Sequence, residues 1–219
     1  MPDWATIASL ATAAGTLVLA IATFCSTRSA NRAARAAERS LLLGLRPILL
    51  TARQEDPPEK IRFGDEHWLR LSDGLATVEE ADGIIYLAMP LRNVAAGIAV
   101  LHGWDVIAGR RNAADPHATP ESFRRQQRDL YVPAGGTGYW QGAVRDSSDP
   151  LHAPLRVALA ERTAWSLDLL YGDHEGGQRA ITRFVMTCRG QSEEADGRLR
   201  SQWFCSSVRH WNLDRQDPR

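Results

Sequence analysis

The sequence predicts a mainly β protein in which an N-terminal transmembrane helix continues as a stalk into a β-sandwich (immunoglobulin-like) with one short helix. Three observations predict this architecture. Residues 7–24 carry no charge, residues 26–45 are rich in alanine and arginine, and after Pro47 the apolar residues recur at a period near two. We therefore expect two parts, the helix and stalk over residues 1–46 and the sandwich over residues 47–219.

The apolar run from Ile7 to Phe24 predicts a membrane span, because about 20 apolar residues at about 1.5 Å each cross a bilayer core of roughly 30 Å. Asp3 can accept from the first free N–H groups of this helix, and Trp4 lies where an indole favours the interface. The residues expected inside the membrane are Ile7, Leu10, Gly15, Leu17, Leu19 and Phe24.

Other interpretations of this segment fit the residues less well. A cleaved signal peptide has basic residues before its apolar run, and here the charged side chain before it is Asp3. A lipoprotein signal has small residues before its cysteine, whereas Phe24 precedes Cys25. A buried core helix without a polar face would need protein all round it.

Arginines follow the apolar run at Arg28, Arg32, Arg35 and Arg39, spaced to form one stripe on a continuing helix. The positive-inside rule then places the N-terminus outside the cell membrane and the remaining chain in the cytoplasm. The stripe is either a solvated stalk or a contact to lipid headgroups through Arg28, Arg32 and Arg35, worth roughly 1 kcal/mol per residue. Pro47 ends the helix near Gly44, unless a break at residues 26–29 interrupts it.

Small residues recur four apart in the membrane segment, at Ala5, Ser9 and Ala13 and again at Ala11 and Gly15. Such spacing lets two helices approach closely, so self-association through the helix is one expectation. In a segment this rich in alanine the same spacing also arises by chance.

Short alternating runs after Pro47 predict the strands of the sandwich. Pro90 favours an edge or a bulge for the strand that contains it. Thr119 and Pro120 predict a short helix through about residue 128. The predicted strands are 48–51, 60–63, 68–71, 76–80, 84–91, 98–106, 130–132, 138–144, 165–171, 179–188 and 199–208.

The clearest predicted hairpin joins Trp165–Tyr171 to residues 179–188 through the glycine-bearing loop at residues 172–177. Its apolar residues alternate, so one face of each strand is expected in the core. The residues on that face are Trp165, Leu167, Leu169, Tyr171, Ala180, Thr182, Phe184, Met186 and Cys188. In residues 98–106 the alternation predicts that His102 shares a face with Ile98, Val100, Trp104 and Val106.

The order of these parts resembles a group of uncharacterised bacterial, actinobacterial-type single-pass membrane proteins. The resemblance lies in Leu45-Arg46-Pro47, in the LRNVAAGIAV stretch from Leu91 to Val100, and in LLYGDHEGGQR from Leu169 to Arg179. It implies an N-terminal helix, an arginine-rich stalk and an immunoglobulin-like sandwich. It implies no activity.

The composition and the motifs predict no catalytic, metal or nucleotide site. The 26 basic residues balance 26 acidic ones, which gives no reason to expect a nucleic-acid partner. The glycine-rich run at residues 133–138 lacks the Lys-Ser/Thr of a phosphate loop, and residues 173–175 indicate an exposed hairpin tip rather than a metal site.

Cys188 and Cys205 are expected as buried thiols, or as one disulfide in an oxidising compartment. We expect no catalytic residues, metal or cofactor.

The sequence therefore predicts a membrane-anchored, non-catalytic module that binds another protein at the cytoplasmic face of the membrane. Its tryptophans are expected mostly in the core, and an exposed one would indicate a partner site. The alternative is a small-ligand sensor or enzyme whose site forms only in three dimensions. His102, Asp105 and Asp173 are the candidate residues for that alternative.

Overall fold

The computed structural model describes residues 3–193 and 199–215. The chain divides into two compact units, Met1–Gly44 and Leu45–Arg219. The first unit is a helix, and the second is built from antiparallel sheets.

Helix α1 runs without interruption over Trp4–Gly44, a length of 41 residues. Asp3 caps its start, since the Ala5 N–H donates to Asp3 Oδ1 at 3.3 Å. The break considered at residues 26–29 is therefore wrong, and the helix ends at Gly44 as predicted. One stretch near its N-terminus is long and apolar enough to span a membrane.

Threonines fit into this apolar helix because their hydroxyls are satisfied by the helix itself. Thr12 donates to the Ala8 carbonyl at 2.9 Å, and Thr23 donates to the Leu19 carbonyl at 2.7 Å. A buried hydroxyl without a partner costs free energy in an apolar medium, and these bonds remove that cost. The predicted membrane residues Ile7, Leu10, Gly15, Leu17, Leu19 and Phe24 are all exposed, as are Arg28, Arg32 and Arg35.

The second unit contains twelve strands and one α-helix among its described residues. The strands are β1 Leu49–Thr51, β2 Glu59–Arg62, β3 Trp68–Leu71, β4 Thr77–Ala81, β5 Ile84–Asn93, β6 Ala99–Ala108, β7 Arg124–Arg125, β8 Tyr131–Val132, β9 Thr137–Val144, β10 Trp165–Gly172, β11 Arg179–Glu193 and β12 Leu199–Asn212. Helix α2 covers His152–Ala160, between β9 and β10.

Two antiparallel sheets pack face to face, which confirms the predicted mainly β, sandwich-like class. In the first sheet β5 is central, with β9 on one side and both β4 and β1 on the other. The second sheet has the order β12-β11-β10-β6, with β7 and β8 both paired to β6. The β2–β3 hairpin covers the outer face of the first sheet, where Ile61 and Leu69 pack against Tyr86.

The core between the sheets is rich in tryptophan. Trp140 and Trp165 are fully buried and Trp203 is 2 % exposed, and all three belong to one apolar cluster. Edge-to-face contacts join the rings, with centroids 5.5 Å apart for Trp104 and Trp140. Among the tryptophans of the second unit, Trp68 is the exception at 55 % exposed, with the Arg62 guanidinium 5.9 Å from its ring.

The predicted hairpin is confirmed as β10 and β11. Trp165 pairs with Met186, Leu167 with Phe184 and Tyr171 with Ala180, so the predicted apolar face lies together. Every residue of β10 is buried, because the opposite face of this strand is covered as well.

Pro90 does not place β5 at an edge, so that prediction was wrong. β5 is paired on both sides, but β4 reaches only Ala88 and β1 begins at Leu91. Pro90 falls in the gap between those two neighbours, where a missing N–H removes no ladder bond. Its carbonyl accepts from Ala52 N at 3.4 Å on that same side.

The predicted faces of residues 98–106 are also wrong at one end. The register of β6 against β10 shifts at His102, since Leu170 pairs with Gly103 and Tyr171 with Leu101. This bulge places Leu101 in the core together with Trp104 and leaves His102 half-buried. Alternation cannot predict such a shift because one inserted residue reverses every side chain beyond it.

The helix predicted to start at Pro120 is only a 3₁₀ turn, Pro120–Ser122. Phe123 is extended at φ −65° and ψ 138°, and the chain continues as β7 against β6. The pairing of β7 with β6 thus prevails over the helix-capping signal of Thr119 and Pro120. The short α-helix is α2 instead, whose Leu155 and Ala158 are buried.

The chain enters the second unit through a tightly bonded junction. Arg46 is buried, donates to Asn212 Oδ1 at 2.9 Å, and forms an ion pair with Asp214. A Cβ on Gly97 would lie 1.6 Å from the Leu45 carbonyl oxygen, so only glycine permits this approach. The conformations of residues 45–47 and 91–100 are thus determined by contacts with each other and with β12.

Candidate functional site

The second unit has a cleft at one open side of the sandwich. Its walls are the turn at residues 63–65 after β2, the chain at residues 124–128 that begins with β7, and residues 141–145 of β9 and its end. The cavity volume is about 710 Å³. That volume falls within the range of about 300–1,000 Å³ that is usual for ligand sites.

The floor of the cleft is apolar. Trp104 and Phe63 line it and are 6 % and 3 % exposed. A Cβ on Gly142 would lie 2.7 Å from the Trp140 ring and 3.2 Å from the Trp104 ring. Glycine therefore lets β9 pass directly over the two indoles.

Four arginines line the cleft, and two of them are held by carboxylates. Arg124 donates to both oxygens of Asp149 at 2.6 and 2.8 Å, and its guanidinium stacks 5.3 Å from the Trp104 ring. The hydrogen bonds from Arg124 lower the pKa of Asp149 to about 2, against the effect of burial. Arg145 lies 3.1 Å from Asp65 Oδ2.

Asp65 is held in its charged form by two donors. Burial raises the pKa of this carboxyl, but the hydrogen bonds from Tyr86 at 2.8 Å and from Arg145 outweigh burial and lower the pKa. Burial, followed by the hydrogen bond to Asp65, raises the pKa of Tyr86 to about 12. The turn after β2 is therefore a fixed, ionised part of the wall.

Arg125 and Arg128, the other two arginines, are exposed. Neither forms an ion pair with any residue in the part of the chain that the structure describes. A guanidinium keeps its charge at any physiological pH, so both are free cationic donors at the mouth of the cleft.

Carboxamides complete the wall between the arginines and β9. Gln126 Nε2 donates to the Arg128 carbonyl at 2.8 Å and to the Gln141 carbonyl at 3.3 Å. Gln141 is 6 % exposed and donates through Nε2 to Asp129. The Oε1 atoms of Gln126 and Gln141 are buried without a hydrogen-bond partner among the described residues.

One end of the cleft is bordered by acidic groups. Burial and the hydrogen bond to Asp129 raise the pKa of Tyr139. Burial, followed by the nearby charge of Asp129, also raises the pKa of Glu59.

Of the residues considered for a catalytic alternative, His102 lies near enough to Asp173 to feel its charge, whereas the acidic neighbour of Asp105 is Asp168. Asp105 lies opposite Asp168 in the register of β6 and β10, and burial and that neighbour raise its pKa. His102 lies at the bulge, where burial and then Arg179 lower its pKa while Asp173 opposes the shift. No hydrogen bond joins any two of His102, Asp105 and Asp173 within the described residues.

The hairpin tip at residues 173–175 is only partly exposed. His174 and Glu175 are exposed, as predicted, but Asp173 is 2 % exposed. Its Oδ1 accepts from Gln178 N at 3.1 Å, which closes the turn. Among the described residues, no group of three or more His, Cys, Asp or Glu side chains could hold a metal ion.

Cys188 and Cys205 are free, partly covered thiols on neighbouring strands. Cys205 pairs with Met186 and Cys188 with Trp203, so both face the core at diagonal positions. Burial raises the pKa of Cys205 to about 12, which leaves it an unreactive thiol at neutral pH.

Sequence reasoning did not single out the arginines of the cleft. A signal was present, since Arg124, Arg125 and Arg128 fall within five residues of each other. The predicted helix at this place concealed it, because arginines on one face of a surface helix indicate a solvated face rather than a cleft. Arg145 follows β9 and could be assigned to the cleft only from the fold.

The fold and the cleft define a class of protein, a β-sandwich with an arginine-lined cleft that follows an apolar N-terminal helix. No family model, curated protein or solved structure matches the chain. The resemblance to bacterial single-pass membrane proteins therefore stays a prediction.

Proposed function

We propose that the protein is a membrane-anchored, non-catalytic module that binds another protein at the cytoplasmic face of the cell membrane. The single observation that carries this proposal is the arginine-lined cleft in a sandwich that follows a helix able to span a membrane. The helix accounts for location and the cleft accounts for binding.

The orientation is supported by the distribution of charge around the apolar segment. Asp3 precedes it, and Arg28, Arg32 and Arg35 follow it on a continuous helix. Basic residues are retained on the cytoplasmic side, so the sandwich lies in the cytoplasm. The same three arginines contact anionic headgroups in this arrangement.

Binding rather than catalysis is supported by the kinds of groups in the cleft. Guanidinium and carboxamide groups form strong hydrogen bonds to anions but do not exchange protons near neutral pH. Acid–base chemistry requires a group that titrates near the working pH. The groups that line this cleft are suited to holding a partner in place.

Two measurements test the proposal. A reporter fused after Arg219 should be active only in the cytoplasm, and activity only outside the cell would contradict the orientation.

A photo-crosslinking residue in place of Gln127, which is exposed at the cleft, should capture a partner in native membranes. The matched control carries the crosslinker in place of Val157, which is exposed on α2. Capture by both or by neither would contradict a partner at the cleft.

The volume of the cleft also favours a second candidate, a sensor for a small anionic ligand. In that case purified protein would melt at a higher temperature in the presence of inorganic phosphate, because a ligand that binds only the folded state stabilises it. A melting temperature that does not change with phosphate would reject this candidate.

A further inference from the structure

We infer that the cleft binds an extended acidic peptide segment, which adds as a strand to the free edge of β9. This inference rests on the proposed function, since it names the chemistry of the partner that the cleft accepts.

β9 is an edge strand within the described residues, because it pairs with β5 and with no second strand. The Gln141 carbonyl accepts from Gln126 Nε2 and so points away from β5 into the cleft. In an antiparallel ladder the N–H and C=O of one residue point to the same side, and the next such residue lies two positions on. Gln141 and Ala143 therefore both present main-chain groups to the cleft.

Pro90 supports this assignment independently. It pairs with Tyr139 in the register, and its carbonyl accepts from Ala52 on the side opposite β9. Tyr139 is thus also a position whose main-chain groups point away from β5. The outward set on β9 is Tyr139, Gln141 and Ala143.

The charge of the wall selects an acidic strand. Arg125 and Arg128 lie across the cleft from β9 without an ion pair to any described residue, while Arg124 is held by Asp149. Carboxylates of an added strand satisfy the two free guanidinium groups through charge-assisted hydrogen bonds. A basic or neutral strand leaves them unpaired.

The unpartnered amide oxygens fit the same occupant. Gln126 Nε2 donates to the Gln141 carbonyl through a long hydrogen bond of 3.3 Å. The Gln126 Oε1 has no hydrogen-bond partner among the described residues. When a strand adds, a peptide N–H replaces Gln126 on that carbonyl. The Gln126 Oε1 then accepts a peptide N–H that points away from β9.

The dimensions match a short segment. Residues 141–145 form the β9 side of the cleft, and a strand rises about 3.4 Å per residue, so about four or five peptide residues fit beside them. Main-chain bonds to β9 give affinity, and the arginines give selectivity for acidic side chains.

The first experiment measures charge selectivity with the full-length protein in detergent. The probe is a fluorescent peptide of about eight residues in which glutamate alternates with threonine, a strand-forming pattern. We expect Arg125→Ala/Arg128→Ala to weaken binding by at least about tenfold, since two charge-assisted contacts are lost. The matched control is Arg53→Ala/Arg110→Ala, which removes two exposed arginines outside the cleft and should bind as the parent does. Equal affinity of all three proteins would overturn the inference.

The second experiment tests strand addition without altering the protein. Two versions of the peptide carry N-methyl groups on the glutamates or on the threonines, which block alternate N–H groups. Only one version should lose binding, because only alternate N–H groups of the added strand face β9. The peptide cannot avoid the block by shifting one residue along β9, since that shift would turn its glutamates to the other face of the sheet. If both versions bind alike and inorganic phosphate displaces them, the cleft is a small-anion pocket and the inference is wrong.

Failure of the inference is distinguishable from failure of the proposed function. If the crosslinker at position 127 captures a partner that Arg125→Ala/Arg128→Ala captures equally well, the proposed function stands and the acidic strand does not. If the peptide binds with the expected pattern but no partner is captured in membranes, the acidic strand stands and the proposed function does not.

Discussion

Two arginine sites of the β-unit differ in whether their charges are already paired. Under the loop at residues 109–119, Arg183 forms an ion pair with Asp168 at 2.6 Å, and both side chains are fully buried. The same guanidinium donates to the carbonyls of Asn112, Asp115 and Pro116. In the cleft, Arg125 and Arg128 are exposed and form no ion pair with described residues.

The difference shows why arginine alone does not indicate a binding site. At Arg183 the fold supplies every acceptor, and the guanidinium also lies 4.9 Å from the Trp211 ring, so the site is closed and stabilises the loop. At Arg125 and Arg128 none of the described carboxylates supplies an acceptor, and the proposed partner would supply it. Variants at the two sites separate these two roles.

The largest expected effect is at the closed site. Arg183→Ala leaves Asp168 as an unpaired buried carboxylate, so we expect a loss of about 3–5 kcal/mol in the free energy of unfolding. Urea unfolding of the purified protein measures this loss, and faster hydrogen exchange at residues 112–116 should accompany it. The double variant Asp168→Leu/Arg183→Met should recover most of the stability. A loss below about 1 kcal/mol in the single variant would mean that the pair is not structural.

A smaller effect is expected at the floor of the open site. Gly142→Ala places a methyl group 2.7 Å from the buried Trp140 ring, which has to move, so we expect a loss of about 1–3 kcal/mol. Gly177→Ala is the control, because nothing lies within 4 Å of its added methyl group. Equal unfolding midpoints for the two variants would show that the floor of the cleft is loosely packed.

A pH-dependent effect is expected beside the closed site. Burial and then Asp168 raise the pKa of Asp105, so its charged form is disfavoured in the folded protein. Its ionisation therefore lowers stability as the pH rises from the ordinary aspartate range, about 3.9, through the raised pKa. Asp105→Asn should raise the urea midpoint at pH 7, and the gain should shrink towards pH 4. A gain that stays constant over this range would contradict the assignment.

The smallest effect on stability is expected at the open site. Arg125→Ala/Arg128→Ala removes exposed charges that no described carboxylate pairs with, so the free energy of unfolding should change by less than about 0.5 kcal/mol. Thermal melts beside the Arg53→Ala/Arg110→Ala control measure this. A loss of more than about 1 kcal/mol would show that these arginines serve the fold and are not reserved for a partner.

Several elements could be predicted from the sequence because they depend on local patterns. A run without charge over Ile7–Phe24 and the alanine-rich residues after it determine a helix that ends at Gly44. Strict alternation in Trp165–Tyr171 determines the core face of β10, since side chains of a strand alternate whatever it pairs with.

Only the tertiary structure decided the features that depend on a neighbouring strand. Pro90 is accommodated in a central strand because it lies in the gap between the end of β4 and the start of β1. The bulge at His102 depends on the register between β6 and β10. Arg124 belongs to a strand rather than a helix because β6 offers it a pairing edge. The cleft arises in the same way, since the turn after β2 meets β7 and β9 there through long-range pairing that no local pattern encodes.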